Sequence, residues 1–196
     1  MKRWIMLMVT LSLIVGCSTK VTRLEPDQAM DLSGSWNDTD SRLVAQEMIQ
    51  DALSHPWISQ FESSQGQSPT VIVGTVQNVS HEHINVNTFV SDMERALINS
   101  GRVIFVASSQ ERSEIRKERV DQDLNATDKT RSAAGNEIGA DYMLKGQINT
   151  LIDVASKDQV RYYQVDLTLI SMKDNRKVWL GQKKIKKLVE RSKLRY

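Results

Sequence analysis

Tyr163-Gln164-Val165-Asp166-Leu167-Thr168-Leu169 carries an apolar side chain at every second position and a polar one between. Successive side chains of a strand point to opposite faces, so this stretch predicts a β-strand with one buried and one wetter face. The same alternation precedes it, with Tyr142, Leu144, Gly146 and Ile148 set against Met143, Lys145, Gln147 and Asn149. After it, Lys173-Asp174-Asn175-Arg176 reads as a turn, and 177–187 as a last strand bearing Val178, Leu180 and Ile185. The late part of the chain is therefore expected to be antiparallel sheet.

Upstream the pattern changes. Thr70-Val71-Ile72-Val73-Gly74-Thr75-Val76 is β-branched and too short for a helix, which makes it a buried strand. A helix starting at an Asn87 cap carries Phe89, Met93, Ala96 and Leu97 on one side and ends at Asn99-Ser100-Gly101, with Gly101 suited to a left-handed residue beyond the last turn. A strand over 103–107 completes a crossover unit whose two strands run parallel. Before this unit, a helix is predicted over 40–53, capped by Asp38 or Thr39, with Val44, Met48 and Ala52 on its apolar face and Pro56 as its stop. Ser108 and Glu111 form a capping-box pair for a highly charged helix reaching about Val120, where Ile115 is a lone strong apolar residue, so the helix should lie exposed. A polar break over 121–126 and a further helix from Thr127 to Gly139 follow. The expected class is α+β: a two- or three-layer α/β sandwich with a mixed sheet of four or five strands and about four helices.

The chain opens with Lys2 and Arg3, an apolar run from Trp4 to Val15, and Gly16 before Cys17, the single cysteine. A short positive start, an apolar stretch and a small residue before the cut describe a signal peptide, and the run is shorter than the roughly 20 residues of a membrane-spanning helix. Ile14-Val15-Gly16-Cys17 resembles a lipobox, which implies cleavage before Cys17 and acylation of its sulfur. Residues 17–37 then serve as acylated terminus and tether, 38–196 as one periplasmic domain. Ser18 stands where an aspartate would resemble an inner-membrane retention signal, so the expected place is the outer membrane, facing the periplasm. A tether of that length has a root-mean-square reach of about 25 Å. Without Lys2 and Arg3 the net charge falls from +2 to about zero, so no overall basic field draws the protein to nucleic acid. Lys183, Lys184, Lys186, Lys187, Arg191, Lys193 and Arg195 nevertheless crowd the C-terminal stretch, as on a lysine-blunted edge strand or a surface for anionic lipid, the acidic face of a partner or the protein's own domain.

Catalytic constellations are sparse. His81-Glu82-His83 could present two imidazoles to a metal, yet it sits in a polar connection with no nearby third ligand. His55, in Ser54-His55-Pro56-Trp57, reads as a capping or surface histidine at a helix stop. No serine lies in a Gly-x-Ser-x-Gly turn, and Gly135 and Gly139 make no phosphate loop. Asp31, Asp38 and Asp40 are acids of the kind a helix dipole favours near its start. The residues predict neither an enzyme, nor a cofactor, nor a small-molecule substrate. Aromatic residues and Arg dominate interface hot spots, so Trp57, Arg161, Tyr162, Tyr163 and Trp179 are candidate partner-binding residues; the same side chains also suit a core or a strand surface.

Asp31-Leu32-Ser33-Gly34-Ser35-Trp36-Asn37-Asp38-Thr39-Asp40-Ser41, Val71-Ile72-Val73-Gly74-Thr75-Val76, Arg95-Ala96-Leu97-Ile98-Asn99-Ser100-Gly101, Ile138-Gly139-Ala140-Asp141-Tyr142 and Val178-Trp179-Leu180-Gly181 together resemble the LpoB-like lipoproteins, activators of class A penicillin-binding proteins. The same order of elements is similar to TolB N-terminal-domain-like folds. The resemblance implies an outer-membrane lipoprotein that stimulates a peptidoglycan synthase by binding it, with no residue of its own in the chemistry. Its alternative is a structural or assembly lipoprotein of an envelope complex, related to TolB or CsgG. Enterobacterial members carry a long Pro-rich tether, where this chain has three prolines in all.

Overall fold

The computed structural model describes residues 20–25, 28–132, 135–155 and 158–190. Among them are four helices, α1 (Asp38–Ser54), α2 (Trp57–Gln65), α3 (Val86–Asn99) and α4 (Ser109–Asn125), and five strands, β1 (Thr70–Asn78), β2 (Ile104–Phe105), β3 (Tyr142–Ala155), β4 (Asp158–Ser171) and β5 (Lys177–Glu190). The strands form one mixed sheet in the order β2-β1-β3-β4-β5. β1 lies parallel to both β2 and β3, whereas β3–β4 and β4–β5 are antiparallel. The class is α+β, and the parallel crossover and the late antiparallel strands stand where the periodicities put them.

α1 and α3 pack together and cover one face of the sheet. Phe89, Met93 and Leu97 recur at every fourth position of α3, which puts them on one stripe, and all three are buried. They meet Val44, Met48 and Ile49 of α1 and the inward residues Leu144, Ile148, Tyr163, Val165, Leu167 and Leu169 of the sheet. Each fully buried side chain of this size contributes about 1.5–3 kcal/mol of transfer free energy. Gly101, at φ 65, takes the left-handed position after α3. The Ser108–Glu111 capping box forms as read, and α4 buries none of its residues.

Local details depart from the reading in ways the side chains explain. The cap of α1 is Asn37: its Oδ1 accepts the Asp40 N–H at 3.0 Å, and the Asp40 carboxylate accepts the Asn37 N–H at 3.1 Å, so the helix starts two residues before the predicted point. In α3 the cap is likewise earlier, with Asn85 Oδ1 accepting the Asn87 N–H at 3.1 Å. Pro56 does follow the end of α1, but it also opens α2, since its φ of −66 is already helical. All but the last residue of the predicted polar break at 121–126 belongs to α4, prolonged by bonds one turn apart: Gln122 Nε2 to Glu118 Oε1 at 3.0 Å and Asn125 Nδ2 to Asp121 Oδ1 at 3.0 Å. Among the described residues, 127–132 and 135–139 form turns and irregular chain, not the expected helix.

On β5 the buried position belongs to Trp179, paired with Leu169, so Leu180 faces solvent at 66 % exposure. And the stretch read as tether is not free to its end. Trp36 packs on the core, edge-on to Phe89 at 6.5 Å and to Tyr163 at 5.6 Å between ring centres, and Gly34 is buried against Val189 and Arg161.

Candidate interaction surface

At the far ends of β4 and β5, a polar clasp holds the amino-terminal segment on the inner face of the sheet. Arg161 and Lys187 are register partners on neighbouring strands, so both side chains project to the same side. Arg161 Nη1 donates to Ser35 Oγ at 2.6 Å and to Glu82 Oε1 at 2.8 Å. The Tyr163 hydroxyl lies 2.7 Å from Glu82 Oε1 and 2.9 Å from the Gly34 carbonyl, within donating reach of either. Glu82 Oε2 accepts the Trp36 N–H at 3.1 Å. Lys187 Nζ donates to Asp31 Oδ1 at 2.7 Å, to Asp40 Oδ2 at 2.6 Å and to the Ser35 carbonyl at 3.3 Å.

The electrostatics follow from these contacts. Burial would lower the Lys187 pKa, but its hydrogen bonds to Asp31 and Asp40 outweigh that and hold it above the usual lysine range. The hydrogen bond from Lys187 in turn holds the Asp31 carboxyl below the usual carboxylate range. Burial, then the hydrogen bond to Glu82, pushes the Tyr163 phenol upward, so it stays protonated and can only donate to that carboxylate.

The opposite face of β3–β5 is turned to solvent and reads in rows across the three strands: Lys145–Thr168–Leu180, Gln147–Asp166–Gln182, Asn149–Gln164–Lys184, Leu151–Tyr162–Lys186 and Asp153–Val160–Leu188. At its centre Asp166 accepts from Gln164 Nε2 at 2.9 and 3.0 Å, from Gln182 Nε2 at 2.9 Å and from Asn149 Nδ2 at 3.4 Å, while the Tyr162 hydroxyl donates to Gln164 Oε1 at 3.3 Å. Toward the strand ends the face becomes apolar, with Leu151 and Leu188 exposed beside half-buried Tyr162 and Val160.

The five partner-binding candidates do not come together. Trp57, Tyr163 and Trp179 are buried at 5 %, 0 % and 3 % exposure and serve the core, which is the other role open to them from the sequence. Trp57 Nε1 donates to the Ala52 carbonyl at 2.7 Å, and Trp179 Nε1 to Asp51 Oδ2 at 2.8 Å. Arg161 belongs to the clasp. Tyr162 alone of the five stands on the solvent-facing side of the sheet. Cys17, the expected lipidation site, and the preceding signal segment lie outside the described residues, as do Arg191, Lys193 and Arg195. Among the described residues no helix is long and apolar enough to cross a membrane.

His81-Glu82-His83 is put to a different use from the one its spacing suggested: Glu82 ties the clasp, and the His81 N–H donates to Thr150 Oγ1 at 3.1 Å. His55 caps the end of α1, with Nδ1 2.8 Å from the Asp51 carbonyl. No group of three potential metal-ligating side chains occurs among the described residues. The clasp was invisible in the sequence, because its partners lie between 79 and 156 positions apart for Arg161–Glu82 and Lys187–Asp31. The Asp166 network was half visible: its residues occupy the wetter positions of two alternating strands.

The model of a family described as peptidoglycan-synthase activator LpoB matches residues 40–185. No curated protein matches. Among solved structures, the LpoB C-terminal domain from Salmonella enterica is similar at 17 % identity, covering 74 % of this chain and 98 % of that one with a TM-score of 0.43. The corresponding domain from Escherichia coli is also 17 % identical, over 72 % and 97 % of the two chains, with a TM-score of 0.37. Lipoprotein GNA1162 from Neisseria meningitidis is 14 % identical over 64 % and 88 %, with a TM-score of 0.41.

Proposed function

The chain belongs to the family of the peptidoglycan-synthase activator LpoB, and from that membership we propose that it binds a class A penicillin-binding protein and raises its rate of peptidoglycan synthesis without catalysing a step itself. The carrying observation is the extent of the family match, which runs from the first turn of α1 into β5 and takes in Asp40, Glu82, Arg161 and Tyr163 of the clasp. Activation of this kind is a population shift: an adaptor that binds the active conformation about 100-fold more tightly than the inactive one contributes about 2.7 kcal/mol toward it.

Acylated Cys17 anchors the protein to the outer membrane on the periplasmic side. Because the segment from Asp31 onward is seated on the sheet, only the stretch between Cys17 and Asp31 acts as tether, and as a coil it would span about 20 Å. The domain is then kept close to the membrane, and the synthase reaches outward to it. The contact is assigned to the end of the solvent-facing sheet, where Tyr162 is flanked by Leu151, Val160 and Leu188 (an aromatic anchor amid apolar neighbours, as at interface cores).

The test is titration of the full-length acylated chain against a purified class A synthase, reading both binding and glycan polymerisation. A saturable complex and faster polymerisation are expected, with Tyr162→Ala weakening binding at least tenfold. Absence of a complex at micromolar concentrations would refute the proposal; a complex indifferent to Tyr162→Ala would move the contact elsewhere.

A further inference from the structure

The centre of the solvent-facing sheet differs from its apolar end. Gln147, Asn149, Gln164 and Gln182 line two adjacent rows around Asp166, and Lys145, Lys184 and Lys186 frame them. Asp166 spends its carboxylate on three of the four amides and thereby fixes their orientation. Each amide offers two N–H donors and a carbonyl with two lone pairs. After these bonds Gln182 and Asn149 each keep one N–H and the whole carbonyl, Gln164 keeps one N–H, and the Gln147 side chain has no hydrogen-bond partner among the described residues. The three ammonium groups likewise have no hydrogen bond or ion pair among the described residues.

We propose that this amide ladder, the rows Gln147–Asp166–Gln182 and Asn149–Gln164–Lys184, binds a glycan strand that bears acetamido and carboxylate groups. The surface is rich in oriented donors and acceptors, with little apolar area at its centre. A protein interface core is more apolar and poorer in charge than this. A bilayer would leave the amides and Asp166 unsatisfied. A nucleic acid would bring phosphates against Asp166. An acetamido sugar polymer answers each feature: its amide and hydroxyl groups match the remaining donors and acceptors, strands about 4.8 Å apart are spaced on the scale of a sugar ring, and attached carboxylates meet Lys145, Lys184 and Lys186. That the glycan is peptidoglycan, with its carboxylate-bearing stem peptides, rests on the function proposed above.

The experiment is co-sedimentation of the full-length chain in detergent with purified peptidoglycan sacculi, with sacculi stripped of stem peptides, and with chitin, all at physiological salt, where screening over about 8 Å suppresses loose ionic adsorption. Saturable binding to intact sacculi is expected, weaker binding to the stripped glycan, and the weakest to chitin. The double variant Asn149→Ala/Gln182→Ala and the single variant Lys184→Glu should each weaken sacculus binding at least tenfold while their thermal midpoints and their complexes with the synthase stay as in the wild type. Failure of the wild-type chain to sediment, equal binding by wild type and variants, or chitin binding as tight as sacculus binding would each overturn the proposal. Since no synthase is present in the assay, such a failure leaves the synthase reading to its own titration.

Discussion

Glu82 accepts from three sides at once, from Arg161, Tyr163 and the Trp36 backbone. The ion pair is mostly shielded, with Arg161 and Glu82 side chains 20 % and 16 % exposed. Breaking a fully buried pair costs about 3–5 kcal/mol, because it strands the surviving charge; at this exposure about 2–4 kcal/mol is the expected loss for Glu82→Ala, measured by chemical denaturation. Lys187 sets the pH range of the clasp. Its pKa is raised on folding, so its contribution is complete below the unfolded value near 10.4 and is lost as pH rises through the folded one. The Asp31 pKa is lowered, so its contribution is complete above about 3.9 and is lost as pH falls through the folded value. The stability difference between wild type and Lys187→Met should therefore be greatest on a plateau between these limits and shrink at both ends. Thermal midpoints of the two proteins from about pH 3 to 11 check this; a difference that grew toward alkaline pH would contradict the assignment.

Among the elements, β5 and α4 mark opposite extremes of constraint. At Gly181 an added Cβ would run into the Trp179 indole and come within 3.1 Å of Met48, so any side chain there forces the packing of β5 on α1 to shift. Gly181→Ala is expected to cost about 1–3 kcal/mol through forced shifts in a packed core. α4 has no buried residue, and its amides should exchange with solvent orders of magnitude faster than those of β4 in a hydrogen-exchange experiment. The contrast explains what could be read beforehand. Strands and helices that bury a face announce it by period, as in 163–169 of β4 or Phe89, Met93 and Leu97 of α3. Boundaries set by single side chains did not: Asn37 and Asn85 outcompete neighbouring cap candidates, and amide bonds one turn apart carry α4 through a segment that looked like a break. α2 escaped because nine residues give barely two turns of period, and Pro56 reads as a stop and a start alike. For the interaction surface, alternation revealed which residues face outward, but not that Asp166 gathers amides from three strands, since register is a tertiary fact. Aromatic composition left a core and an interface role open for Trp57, Tyr163 and Trp179, and burial places all three in the core.

At the scale of the whole molecule, the clasp decides where the amino-terminal segment leaves the domain. Asp31 and Ser35 are held by Lys187 and Arg161 near the far ends of β5 and β4, so the chain toward Cys17 departs from that end of the sheet. Ten residues of strand, about 33 Å of chain, lie between Arg161 and the end of β4 at Ser171, so the Lys173–Arg176 turn stands at the opposite end of the sheet from the clasp. A lipid at the proposed site, Cys17, would then fix location without contributing to the fold. Cys17→Ser should release the protein from the membrane fraction into the soluble periplasmic fraction, because an acyl chain contributes about 0.8 kcal/mol per buried CH₂ and no helix among the described residues is long and apolar enough to cross a membrane. Its thermal midpoint should match that of the wild type within about 1 °C, and its stimulation of a soluble synthase assay should be unchanged. Stimulation in cells should fall, since tethering raises the effective concentration of the domain at the envelope and the variant loses that advantage. Membrane fractionation, a melting curve and polymerisation rates on the same two proteins separate the anchor from the adaptor: a variant that melts lower would show that the acylated end also takes part in the packing, and one that stays in the membrane fraction would place the anchor elsewhere in the chain.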